Sequence, residues 1–181
     1  SKKHKEQADK ITDCIVYVLE KADKAYSYVS FYTMSETDIL FYFYEILKGL
    51  EFLHSHNIIH ADIKPENTLD VHGRPKIADF GLANHVVMDK TYDIAQTSWY
   101  RAPEMYMKTK STPKIDIWSL GCMFANTIVD QPLFSNVEED DTLFNQLLWL
   151  GFPDEKWIAE NKADIDAKSR EIPDKKAKGV E

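Results

Sequence analysis

His60-Ala61-Asp62-Ile63-Lys64-Pro65-Glu66-Asn67 is the stretch that decides how the rest of the chain is read. It sets an acid, a lysine and an amide at positions n, n+2 and n+5 of one loop, where all three can converge on a single pocket. A chance match to His, Asp, Lys, Pro and Asn at these spacings is on the order of one in ten thousand. Upstream, Ile39, Phe43, Ile46, Leu47, Leu50 and Leu53 recur at helical spacing. Ser35 is the expected N-cap, with Asp38 three residues on approximating a capping box, and Asn57 suits the helix end. Downstream, Thr68-Leu69-Asp70-Val71 and Lys76-Ile77-Ala78 read as two strands joined by His72-Gly73-Arg74-Pro75, where Gly73 can take the positive φ of a tight turn.

The second strand runs into Asp79-Phe80-Gly81. An acid at a strand end, followed by a glycine that frees the backbone, suits a divalent cation with phosphate oxygens, although alone the tripeptide is an ordinary strand end. Residues 82–101 show neither period and read as an exposed loop. Trp99-Tyr100-Arg101-Ala102-Pro103-Glu104 closes it with a proline-anchored turn. Residues 115–129 are apolar on nearly every side, which predicts a helix in the middle of the core. Leu143, Phe144, Leu147, Leu148 and Leu150 predict an amphipathic helix near 140–150. Cys14-Ile15-Val16-Tyr17-Val18-Leu19, rich in β-branched residues, predicts a buried strand. Residues 1–12 are a polar segment, 13–158 the folded domain and 159–181 a charged tail or weak helix.

Three motifs in this order resemble the protein kinases: catalytic loop, Asp-Phe-Gly, activation segment and Ala-Pro-Glu. Trp99–Glu104 and Leu150-Gly151-Phe152-Pro153-Asp154-Glu155 are similar to the cyclin-dependent kinases. Phe41-Tyr42-Phe43-Tyr44-Glu45-Ile46-Leu47-Lys48 and Trp118-Ser119-Leu120-Gly121-Cys122-Met123 are similar to the casein kinase II catalytic subunit. The resemblance implies an α+β, mainly helical fold: the C-terminal lobe of a serine/threonine protein kinase, with a short β-hairpin at the cleft and the small N-terminal lobe largely absent. It implies ATP and Mg²⁺ as cofactors, a protein substrate and a regulatory subunit among the candidate partners. By resemblance Asp62 accepts the substrate hydroxyl's proton and Lys64 offsets charge on the transferring phosphoryl group. Asn67 and Asp79 hold Mg²⁺, with Glu66 beside them in the nucleotide site. Thr97 braces the catalytic pair, and Asp116 supports the loop from below. The backbones of Glu20 and Ala22 match the adenine-pairing hinge, and Leu69 and Ala78 line the purine slot.

The 181 residues contain no Gly-rich loop and no lysine in a Val-Ala-Ile-Lys context. Weak activity, or none, is therefore expected of this chain alone, and a half-domain with an exposed apolar face should be less stable than its length suggests. A catalytically silent pseudokinase or docking module is the alternative. Ala61 stands where most relatives carry arginine, so phosphorylation at Thr91 or Tyr92 is not expected to be the main switch. Glu104 lacks the arginine that is its usual partner. A net charge of −8 argues against nucleic-acid or anionic-membrane binding. Two distant cysteines, Cys14 and Cys122, argue against a disulfide scaffold or structural zinc. With no apolar signal core and no run of the ~20 apolar residues needed to cross a bilayer, an intracellular location, cytoplasmic or nuclear, is expected.

Overall fold

The periodic stretch after Ser35 folds as helix α1, Glu36–Ser55. Ser35 Oγ accepts the Asp38 N–H at 3.2 Å and donates to the Asp38 carboxylate at 2.7 Å, a capping exchange with Asp in the place of Glu. The helix stops where Asn57 turns left-handed, at φ 58°. A computed structural model describes residues 18–86, 98–107, 109–129, 131–134 and 139–163. Within them the order is β1 (Lys24–Ala25), a 3₁₀ turn (Tyr28–Thr33), α1, β2 (Ile58–Ile59), a 3₁₀ turn (Pro65–Asn67), β3 (Thr68–Val71), β4 (Arg74–Ile77) and β5 (Asn84–His85). A 3₁₀ turn (Ser98–Tyr100), α2 (Pro103–Tyr106), α3 (Lys114–Val129), α4 (Glu139–Leu150) and α5 (Glu155–Glu160) follow.

The hairpin forms with a tighter turn than the sequence suggests. His72 and Gly73 alone make it, both at positive φ (54° and 77°), and β4 begins at Arg74. Pro75 sits opposite Asp70 on the sheet's edge strand, which suits a residue with no N–H to donate. The sheet order is β1-β3-β4, all antiparallel. β2 pairs separately with β5, Ile59 opposite Asn84.

The core lies between α1, α3 and the hairpin. Tyr42, Phe43, Ile46 and Leu50 of α1 meet Leu120, Cys122 and Met123 of α3, with Phe31 and Tyr100 closing the ends. α1 approaches β4 so closely that a Cβ on Gly49 would lie 2.9 Å from Ile77 Cδ1. Burial pushes the Cys122 thiol up to about 12, so it packs as an apolar group.

Several expectations need correcting. Of the expected strand Cys14–Leu19, residues 14–17 lie outside the described set, and Val18 and Leu19 are exposed and not in a strand. The first strand is Lys24–Ala25, because the Asp23 and Tyr26 N–H groups find the Asp70 and Thr68 carbonyls there. α3 is not surrounded by core: Ile117, Phe124, Ile128 and Val129 are exposed, while Asp116, Ser119 and Asn126 are buried. α4 forms as expected, but its most buried positions are polar: Thr142 and Gln146 are buried, Leu143 and Leu147 half-buried, and Phe144, Leu148, Trp149 and Leu150 exposed. The reason is shared. Residues 100–102 are buried, at the end of a 3₁₀ turn and the irregular stretch after it, so their backbone groups need side-chain partners. Ser119 Oγ donates to the Tyr100 carbonyl at 2.7 Å and Gln146 Nε2 to that of Arg101 at 2.8 Å. Asn126 Nδ2 donates to the Tyr100 hydroxyl at 3.1 Å. The expected exposed loop 82–101 therefore ends in buried residues, Tyr100 and Arg101, and contains β5. α5, not anticipated from the sequence, crosses the expected tail boundary at 158, capped by Asp154 accepting from the Trp157 N–H.

Candidate active site

β2 delivers the chain to His60, which is fully buried. The peptide N–H groups of His60 and Ala61 both donate to the Asp116 carboxylate, at 2.9 and 2.8 Å. This pinches the backbone so that Ala61 takes φ 64°, the left-handed region that costs an alanine about 1 kcal/mol or more. Ala61 belongs to a small apolar cluster with Ile59, Ala102, Met105 and Ile115. His54, on the last turn of α1, completes the Asp116 shell through Nε2 at 2.8 Å.

Past this anchor the loop turns three side chains inward. Lys64 Nζ lies 3.0 Å from Asp62 Oδ2. Asn67 Nδ2 donates to the same oxygen at 2.7 Å and to the Asp62 carbonyl at 2.9 Å. Both contacts are acceptors, so the amide nitrogen must face them and Asn67 Oδ1 points elsewhere. The convergence expected from the n, n+2, n+5 spacing is thus present for Asp62, Lys64 and Asn67.

Asp79 reaches this group through the backbone. The Ala78 N–H donates to the Asn67 carbonyl at 2.9 Å, and the Ala78 carbonyl accepts from His60 Nε2 at 3.0 Å. His60 Nδ1 accepts the Asp62 N–H at 3.2 Å, so one neutral imidazole, protonated at Nε2, ties Asp62 to the residue before Asp79. Its ring also meets Phe80 edge-on at 5.0 Å. Asp79 has φ 59° and an exposed carboxylate that accepts the Gly81 N–H at 3.2 Å.

The remaining predicted residues are more dispersed. Leu69 and Ala78 are half-buried, Leu69 paired with Ala25 in the sheet. Glu66 is exposed. The Glu20 carboxylate is exposed and pairs with Lys76 Nζ at 2.6 Å; Ala22 is half-buried. Thr97 lies outside the described residues. Sequence reasoning counted His60 in the motif without giving it a role, and did not single out His54 or Thr68. His54 and His60 flank β2 six residues apart, a spacing that would have suggested a shared partner had Asp116 been placed between them.

Among the described residues no cluster of three His, Cys, Asp or Glu side chains could hold a metal alone. Asp79 with Asn67 Oδ1 is an all-oxygen pair of the kind Mg²⁺ accepts when phosphate oxygens and water fill the other positions. The donor set fits.

A separate cleft of about 410 Å³ opens between α2 and α5, lined in part by Glu104, Lys110, Lys114 and Trp157. It shares no residue with the loop. Burial raises the Glu104 carboxyl above its ordinary 4.5, opposed by its own N–H and by Lys114. The folded chain then holds a proton that the unfolded chain releases, so stability falls as pH rises through that window. Glu104→Gln should raise the melting midpoint at pH 7 by roughly 1–3 °C and leave it unchanged at pH 4. A lower midpoint at pH 7 would contradict this assignment.

Among the described residues no helix is long and apolar enough to cross a membrane. The family described as "Protein kinase domain" matches residues 7–171. A rice (Oryza sativa subsp. japonica) protein named cyclin-dependent kinase F-3 is 42% identical over 122 residues, 66% of this chain and 28% of the relative. A mouse (Mus musculus) protein named serine/threonine-protein kinase ICK is 44% identical over 113 residues, 61% of this chain and 18% of the relative. The crystal structure of the yeast RNA Pol II CTD kinase CTDK-1 complex contains a chain that superposes with TM-score 0.66 at 28% identity. It covers 75% of this chain and 47% of that one. The match thus spans 28% and 18% of these two curated relatives.

Proposed function

The chain belongs to the protein kinase family, and from that premise we propose that it is the large-lobe portion of a serine/threonine kinase that transfers the ATP γ-phosphoryl group to protein hydroxyls. The observation that carries this reading is the convergence of Lys64 Nζ and Asn67 Nδ2 on one oxygen of Asp62. Among the described residues Asp62 Oδ1 accepts no hydrogen bond, which leaves it to take the proton of an incoming serine or threonine hydroxyl. The hydroxyl oxygen bonds to the γ-phosphorus as the bond to the β–γ bridging oxygen breaks, and Asp62 receives the proton.

Lys64, adjacent to that carboxylate, offsets negative charge on the moving phosphoryl group. Asn67 Oδ1 and the Asp79 carboxylate are the groups that would hold Mg²⁺, which when bound neutralises phosphate charge. Leu69 and Ala78 would face the purine, with the Glu20 and Ala22 backbones along its edge, Glu66 at the mouth and Thr97 bracing the loop. The substrate would be a protein, with a regulatory subunit as partner, in an intracellular setting.

Nothing in these 181 residues supplies a Gly-rich phosphate cover or a second lysine clamp, so weak Mg·ATP binding and little turnover are expected of this polypeptide alone. The test is a thermal melt with and without Mg·ATP, beside an Asp79→Ala control. Ligand at 100 times its dissociation constant adds about 2.7 kcal/mol, or roughly 5–10 °C for a chain of this length. A rise that disappears in Asp79→Ala supports the reading. A cooperative melt with no rise favours the silent docking module, for which the exposed apolar side of α4 is the supporting observation.

A further inference from the structure

We infer that the buried Tyr42–Thr68 hydroxyl pair is a positioning element of the phosphoryl-transfer site, a relay from α1 that fixes the turn carrying Lys64 and Asn67. This rests on the reading of that loop as catalytic. Both side chains are fully buried, with their oxygens 2.6 Å apart. Thr68 Oγ1 also lies 2.7 Å from the Pro65 carbonyl. A carbonyl only accepts, so the Thr68 proton is spent there and Tyr42 donates to Thr68. The same Pro65 carbonyl receives the Thr68 N–H, so one residue holds it twice.

The Pro65–Asn67 turn is three residues long and cannot sustain itself by its own 3₁₀ hydrogen bond. Its N-cap, Lys64, and its last residue, Asn67, are the two residues that grip Asp62 Oδ2. A buried position next to a tyrosine ring would pack equally well with valine, so the hydroxyl at 68 is not demanded by volume. The Tyr42 ring is held by edge contacts with Tyr26, Phe31 and Phe43, at centroid distances of 4.8, 5.2 and 5.1 Å. Its oxygen therefore has one place to be. Burial pushes the Tyr42 hydroxyl far above the ordinary tyrosine value, so it remains a donor at any pH the fold tolerates.

The test compares Thr68→Val, Thr68→Ser and Tyr42→Phe with the unmodified chain in two measurements: amide hydrogen exchange by NMR and the Mg·ATP dissociation constant. Thr68→Val and Tyr42→Phe should speed exchange at Asn67 and Thr68 by about tenfold, the size of one buried hydrogen bond, and leave Met123 in α3 unchanged. Both should weaken Mg·ATP by about threefold or more, and Thr68→Ser should restore both readouts. Equal acceleration at Asn67 and Met123 would reduce the pair to general stability and overturn the inference. So would unchanged exchange at Asn67, or local loosening without loss of Mg·ATP affinity. If Thr68→Val does not fold, Tyr42→Phe, which keeps the ring, carries the comparison. An unmodified chain that binds no Mg·ATP sinks the catalytic reading and with it the functional half of this inference; the exchange pattern then still decides whether the relay orders the turn.

Discussion

Asp116→Ala should destabilise the chain by about 3–5 kcal/mol, because two buried peptide N–H groups each lose their acceptor at about 1–3 kcal/mol apiece. Those groups belong to His60 and Ala61, and the Asp116 side chain is 1% exposed, so water cannot take its place. Relaxation of the strained φ of Ala61 would recover only about 1 kcal/mol of that loss. Asp116→Asn should fall between the two. One amide oxygen can serve one N–H, but the amide nitrogen then opposes the other. Urea denaturation measures the loss, and exchange at the His60 and Ala61 amides locates it. In a fold of marginal stability, a loss of this size removes a large part of the total. A loss under 1 kcal/mol would show that the loop does not depend on α3.

Ile46→Ala should cost about 2–5 kcal/mol, the range for deleting a fully buried aliphatic side chain. Ile46 has no exposed surface and sits where α1, α3 and the 3₁₀ turn Tyr28–Thr33 meet. The informative comparison is Trp149→Ser. Although tryptophan is the larger residue, it is 71% exposed on α4, so its replacement should change stability by less than about 0.5 kcal/mol. A large loss from Trp149→Ser would mean that α4 packs with its apolar side inward, as its amphipathic pattern suggests. Urea midpoints for the two variants separate these cases.

α1 was legible because each of its determinants lies within the helix or next to it: the apolar period, the Ser35 cap, the left-handed Asn57. The hairpin was legible from Gly73 and its flanking strands, with the turn two residues tighter than the spacing suggested. β1 and β5 were not, since two-residue strands exist only through partners elsewhere, Asp70 and Leu69 for β1 and Ile58 and Ile59 for β5. The direction of α4 was hidden for a related reason. Its most buried position, Gln146, is set by the Arg101 carbonyl 45 residues earlier, and Leu148 and Leu150 are left outside. Periodicity measures how apolar a face is, but says nothing of which backbone groups wait unpaired across the core.

The same division runs through the candidate site. The sequence by itself determined that Asp62, Lys64 and Asn67 share one short loop, because residues two and five apart on a tight turn cannot lie far from one another. Tertiary structure alone decided how that loop is held. Asp116 and His54 come from two different helices, Tyr42 from an earlier turn of α1, and His60 ties the loop to Ala78 across the hairpin. These are contacts between residues 18 to 62 positions apart. They form because buried N–H and O–H groups must find partners once the core has excluded water, and only the folded packing determines which partners are within reach.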